Sequence, residues 1–185
     1  MRIQKEWQIF SVFLGLFSLL TRPTAAHNDA SRLATIESLV DFHTLIIDNS
    51  RFIWTIDKYL YQGHFYSDKP PILSIYGSFF YALLKIVGIS FSTQSSLTIF
   101  LMIILVVGGS TAIGMVYFYK TLKFLEIPEN WIDVLLIIAG TGTLLMPYST
   151  VFNNHVVSAS LLMAGFYYLL RVKESIRYSL LSGVL

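Results

Sequence analysis

Residues 97–119 read LTIFLMIILVVGGSTAIGMVYFY, 23 consecutive positions without a charged side chain. At 1.5 Å per residue a helix of that length rises about 34 Å, enough to cross a hydrocarbon core of about 30 Å. The stretch predicts a transmembrane helix. Gly108 and Ala112, like Ser110 and Gly114, stand four residues apart, so they line strips along which a second helix can approach closely.

The flanking sequence extends the pattern. Trp131 to Tyr148 reads as a second span, interrupted only by Asp133 near one end, and Val156 to Leu170 as a third, shorter one. A further apolar stretch opens near Tyr178 and reaches Leu185 part-way through a helix, so the sequence reads as a fragment of something longer. At the other end, Arg2 and Lys5 precede an apolar run from Ile9 to Leu20 and then Thr24-Ala25-Ala26. That is the pattern of a signal peptide or signal anchor, and with long apolar segments following it we read an uncleaved first helix with a cytoplasmic N-terminus.

Composition agrees. Hydrophobic residues make up 55% of the chain and charged residues 13%, against roughly a quarter charged in ordinary soluble domains, so too little polar surface remains to cover the chain in water. A net charge of +2 with scattered basic residues leaves no nucleic-acid footprint. With no cysteine, disulfides, thiol catalysis and cysteine-rich metal sites are excluded. The expected fold is all-α: a polytopic transmembrane helical bundle with an outer first loop bearing amphipathic juxtamembrane helices, forming a single membrane domain over residues 1–185.

Pro71 to Ile89 is apolar overall, yet Ser74, Ser78, Tyr81 and Lys85 recur at spacings of four, three and four, one polar stripe on a helix. Basic residues favour the cytoplasmic side of short loops. If this segment crosses, Lys120, Lys123, Arg171, Lys173 and Arg177 fall outside; if it is interfacial or re-entrant, all five fall inside with Arg2 and Lys5. We take the interfacial reading, in which the loop from Thr21 to Lys69 and the turn from Val151 to His155 share the outer face.

The first loop holds Asp29, Glu37, Asp41, Asp48, Asp57 and Asp68, six of the 11 acidic residues. Leu33, Ile36 and Val40 share a helical face, predicting a short amphipathic helix on the membrane surface, its first turn capped by Asn28 or Asp29. The functional reading of Asp29 is a general base able to take a proton from an acceptor hydroxyl. Further on, Gly63-His64-Phe65-Tyr66-Ser67-Asp68-Lys69-Pro70-Pro71 leads into the next helix. Its prolines stiffen the backbone, and Lys69 beside a helix N-terminus offers a seat for phosphate; the plainer reading is a solvated Asp68–Lys69 pair. Trp54, Tyr59, Tyr61, Phe65 and Tyr66 read as interfacial anchors. His27, His64 and His155 with Asp68 are of the types that gather around a divalent metal, though their spacing does not require it.

The order of a membrane-entering helix, Asn28-Asp29-Ala30-Ser31-Arg32, and then Tyr66-Ser67-Asp68-Lys69-Pro70-Pro71 before an apolar helix resembles the N-terminal region of GT-C glycosyltransferases. It is most similar to the protein O-mannosyltransferase and aminoarabinose transferase (glycosyltransferase family 39-like) group. The resemblance implies sugar transfer from a polyprenyl-phosphate donor to a glycan, lipid or protein acceptor at the extracytoplasmic face of the plasma membrane. It makes Asp29 the catalytic acidic residue that orients or deprotonates the acceptor and Lys69 the group that holds the donor phosphate, with Asp68 supporting that site or helping to bind a divalent metal. Asn28 stands where many members of the group have a second acidic residue. Asn154 or His155 replaces the acidic residue of a later outer turn, and with His64 they are further candidates to line the site; the plainer reading makes Asn154 a helix cap and His155 an interfacial side chain. The competing classes are a multi-pass transporter or flippase component, or a non-catalytic membrane partner.

Overall fold

The computed structural model describes residues 2–184. Met1, the side chain of Arg2 and Leu185 lie outside the described residues, and with them the basic charge read at Arg2 and the break read at Leu185. The chain is mostly helical: α1 (Arg2–Leu20), α2 (His27–Asp41), strands β1 (Lys58–Tyr61) and β2 (His64–Ser67), α3 (Ile72–Ile86), α4 (Ser95–Met102), a π-helical stretch Ile103–Gly108, α5 (Gly109–Phe124), α6 (Glu129–Thr141), α7 (Leu145–Tyr148), α8 (His155–Leu170) and α9 (Ile176–Val184). It packs as two compact units, one of residues 2–20, 107–150 and 154–184, the other of residues 21–106 and 151–153.

Residues Ser95–Phe124 run as one helix of 30 residues, long and apolar enough to cross a membrane, and the single such helix among the described residues. The expected span at Trp131–Tyr148 is instead broken. Helix α6 ends at Thr141 after 13 residues, and α7 holds only Leu145 to Tyr148. Gly140 and Gly142 have weak helix propensity, and the Thr143 hydroxyl turns back to the Ala139 carbonyl at 2.8 Å. Helix α8, with 16 residues, rises roughly 24 Å.

In the first unit, Ile9, Phe13 and Phe17 recur every fourth residue on α1 and pack with Ala112, Met115, Tyr119 and Leu122 of α5 and Ile132 and Leu136 of α6. Gly140 leaves the space that the Phe13 ring fills, since a Cβ there would lie 2.0 Å from Phe13 Cε1. Gly114 lets α8 approach α5: a Cβ on it would lie 2.5 Å from Ser160 Oγ and 3.0 Å from Ser160 Cα. Of the small residues read from sequence, Gly114 meets α8 and Ala112 packs in the cluster with α1 and α6. Charged groups gather at one end of this unit, where Lys5 pairs with Asp133 at 3.0 Å, Lys120 with Glu6 at 3.1 Å, and Arg171 with Glu174.

The second unit is built around α2, and here the expected surface helix is corrected. Ten consecutive residues, Asp29 to Ser38, are buried, so α2 is the unit's central element, not an amphipathic helix lying at a boundary. The polar stripe of α3 packs on it. Ser74 Oγ donates to the Arg32 carbonyl at 3.3 Å, and Tyr81 Oη and Lys85 Nζ donate to Asp41 at 3.0 and 2.5 Å. Gly77 allows the close approach, because a Cβ would lie 2.7 Å from Ile36 Cδ1. The opposite face of α3, with Ile72, Ile75, Phe79, Leu83 and Ile86, is exposed.

The departure from an all-α fold is an antiparallel hairpin, with Lys58 opposite Ser67 and Tyr61 opposite His64. Gln62 and Gly63 both have positive φ, 49° and 84°, as a two-residue type I′ turn requires. A Gly114→Ala substitution should push α5 and α8 apart and destabilise the protein by about 1–3 kcal/mol. Thermal unfolding in detergent micelles checks this, and an unchanged midpoint would refute close packing between those helices.

Candidate functional site

Helix α2 starts at His27, with Ala26 at its N-cap in extended conformation. Alanine has no side chain to accept the free N–H groups of the first turn, and Asp29, three residues on, makes only the return bond of a capping box: its Oδ2 accepts the Ala26 N–H at 3.2 Å. Asp29 thus caps from inside the helix, not from the N-cap position expected for it or for Asn28. Asn28 instead accepts Arg32 Nη1, through its main-chain carbonyl at 3.1 Å and through its side-chain oxygen. The segment after Arg51 folds over this helix start. Thr55 Oγ1 donates to the His27 carbonyl at 2.7 Å, the Ile56 N–H donates to His27 Nδ1 at 3.2 Å, and the His27 ring meets Trp54 edge-on at 5.2 Å.

Asp29 and Arg32 lie one turn apart on α2 and are 6% and 4% exposed. Burial raises the Asp29 carboxyl above its ordinary value, and the Ala26 N–H and Arg32 pull it part of the way back. Burial likewise lowers the Arg32 guanidinium, against the attraction of Asp29, Asp68 and Asp57. Arg32 therefore couples the start of α2 to two carboxylates brought in by the loop and the hairpin.

Those two carboxylates hold Lys69. Its Nζ lies 2.9 Å from Asp57 Oδ2 and 3.1 Å from Asp68 Oδ1. Burial alone would depress the Lys69 amine, but the hydrogen bonds to Asp57 and Asp68 outweigh it and hold the amine above its ordinary value. The Asp68–Lys69 pair belongs to a three-membered cluster, and Asp57 was not singled out in the sequence because it stands 11 residues before Asp68, just ahead of β1. Beside Lys69 is a cavity of about 150 Å³ lined by Thr35, Leu45, Tyr59, Tyr66, Ser67, Lys69 and Pro71. Tyr59 and Tyr66, opposite one another across the hairpin, stack with ring centroids 5.6 Å apart.

The remaining predicted residues separate. His64 Nδ1 is 2.7 Å from Asp48 Oδ2, and Asp48 also accepts the Phe65 N–H at 2.7 Å, so this pair pins the far end of the hairpin. Asn154 stands at the N-cap of α8, its carbonyl accepting the Ser158 N–H at 2.9 Å, and the His155 ring meets Tyr148 edge-on at 5.5 Å; both belong to the other compact unit. Among the described residues no three His, Asp or Glu side chains come together where a metal ion could sit. Glu37, also missed, accepts Ser50 Oγ at 2.6 Å, the Arg51 N–H at 2.9 Å and Arg51 Nε at 3.2 Å. Its buried carboxylate is what holds the loop against α2.

Comparison with protein-family models, with curated proteins and with solved structures finds no match for this chain.

Because Asp29 binds its proton more tightly folded than unfolded, its contribution to stability is largest when protonated in both states. That contribution declines as pH rises from about 4 through the raised folded value, then levels off. The stability difference between wild type and Asp29→Asn should therefore shift against wild type across that window. Thermal midpoints of the two proteins at a series of pH values measure it; parallel curves would show that Asp29 is not perturbed.

Proposed function

We propose that this chain is a glycosyltransferase of the GT-C type that takes a sugar from a polyprenyl-phosphate donor at the extracytoplasmic face of a membrane it crosses more than once. The observation that carries the proposal is the charge cluster: Lys69 before α3 pairs with Asp57 and Asp68, and the charges of both, with that of Asp29 at the start of α2, act on Arg32 of the same helix. Further support comes from the 30-residue apolar helix and the exposed apolar face of α3 just beyond Lys69, as a donor with a hydrocarbon tail requires. The gathering of Lys5, Lys120 and Arg171 at one end of their unit agrees with a common cytoplasmic side for those residues.

In this reading the acceptor oxygen attacks the anomeric carbon, the bond from that carbon to the phosphate oxygen breaks, and configuration inverts. Asp29 takes the acceptor proton. Its Oδ2 is held by Ala26, leaving Oδ1 to accept, and burial makes the carboxylate a better base than an exposed one. Lys69 takes the charge that grows on the departing phosphate. Two carboxylates already surround its amine, so a phosphate must displace one of them. Asp68 is the one to yield, with its side chain 41% exposed against 26% for Asp57. The adjoining cavity, about five waters in size at roughly 30 Å³ each, admits one phosphate or one sugar ring.

Transfer of radiolabelled sugar by membranes containing the protein, tried with a panel of polyprenyl-phosphate sugars, tests the proposal. Asp29→Asn should lower turnover at least about 100-fold, the low end of general-base contributions. Lys69→Ala should lower kcat/KM for the donor about tenfold, equivalent to one charge-assisted hydrogen bond. No transfer from any donor by well-inserted wild-type protein would sink the proposal in favour of a transporter or a non-catalytic partner.

A further inference from the structure

We infer that Ser31 and Ser67 are positioning residues, a one-way chain of hydroxyl hydrogen bonds that sets where the Lys69–Asp57 ion pair stands against the helix carrying Asp29. The inference rests on the role proposed for Lys69 and adds two residues to it.

Ser31 Oγ lies 2.5 Å from the Asp57 main-chain carbonyl oxygen and 2.6 Å from Ser67 Oγ, and Ser67 Oγ lies 3.1 Å from the Lys69 main-chain nitrogen. A hydroxyl has one proton to donate. A carbonyl oxygen can only accept, so the Ser31 proton points to Asp57. Ser31 must then accept from Ser67, and Ser67 in turn accepts the Lys69 N–H. Every direction is fixed: Lys69 N–H to Ser67, Ser67 to Ser31, Ser31 to Asp57.

The two ends of this chain are the residues whose side chains meet at 2.9 Å. Their main chains are tied through hydroxyls and their side chains through charge, which closes a ring on α2. Lys58 opposite Ser67 is the last rung of the hairpin. Beyond that rung the ladder no longer holds residues 57 and 69 together, and the hydroxyl chain takes its place. Ser31 is 0% exposed, so no water substitutes for its hydroxyl, and it lies two residues from Asp29 and next to Arg32.

Removing the Ser31 hydroxyl leaves the Asp57 carbonyl without its donor and the Ser67 proton without its acceptor, and frees the Lys69 backbone to move away from Asp57. The measurement is competitive amine labelling of the full chain in micelles across pH, read by mass spectrometry for Lys69 against exposed Lys173. Wild-type Lys69 should label late. Ser31→Ala and Ser67→Ala should each raise Lys69 labelling at pH 9 about threefold, roughly half a pKa unit, with Lys173 unchanged, while Ser31→Thr, which keeps the hydroxyl, should label like wild type. An unchanged Lys69 labelling midpoint in folded alanine variants would overturn the inference. If Ser31→Ala does not fold, Ser67→Ala, at a partly exposed position, decides by the same criterion. No sugar donor is involved, so an absence of transfer in the wild-type assay counts against the proposed function alone.

Discussion

Burying charge on a helix is costly unless each charge finds a partner, and α2 buries Asp29, Arg32 and Glu37 within ten consecutive buried residues. The rest of its unit follows from that constraint. The loop returns to Glu37 with Ser50 and Arg51, the segment at Thr55–Ile56 covers the helix start at His27, the hairpin delivers Asp57 and Lys69 to the Arg32 side, and α3 meets Asp41 with Tyr81 and Lys85. Apolar contacts fill the space between these ties: Phe91 packs on Phe52 at 5.1 Å and on Tyr81 at 4.4 Å between ring centroids. Removing one partner from such a network leaves the other charge buried alone, which is why the ties act together.

The same constraint explains the two faces of α3. Ser74, Tyr81 and Lys85 reach α2, where their hydrogen-bond partners are, while Ile72, Ile75, Phe79, Leu83 and Ile86 are turned outward. In a water-soluble protein this arrangement would expose a costly hydrophobic surface. The 15 residues of α3 make a helix roughly 22 Å long, shorter than a hydrocarbon core of about 30 Å.

The unit that carries α5 solves a different problem. Its helices are apolar nearly throughout, so hydrophobicity alone does not select which faces meet; small residues do, by letting backbones approach. Gly114 against Ser160 and Gly140 against Phe13 fix the α5–α8 and α1–α6 contacts. The charges that cannot be accommodated among apolar side chains are left to the helix end, where Lys5, Glu6, Lys120 and Asp133 pair.

The sequence by itself determined the helical character, the long apolar helix around residues 97–119, the helix start near Asp29, the stripe on α3 and the small-residue spacing around Gly114, because each is a local pattern whose period is set by the helix. It also marked Asp29 and Lys69 through a short resemblance. Only the tertiary structure decided that α2 is buried, that α6 stops at Thr141, that residues 58–67 form a hairpin, and that Asp57, Arg32, Ser31 and Ser67 stand with Lys69. The burial of α2 and the assembly around Lys69 depend on groups far along the chain, as Ser31 to Asp57, 26 positions apart, and Arg32 to Ser74, 42 apart, illustrate. The energy of a buried charge or hydroxyl is set by whichever distant group is brought against it, and no periodicity along the chain encodes that.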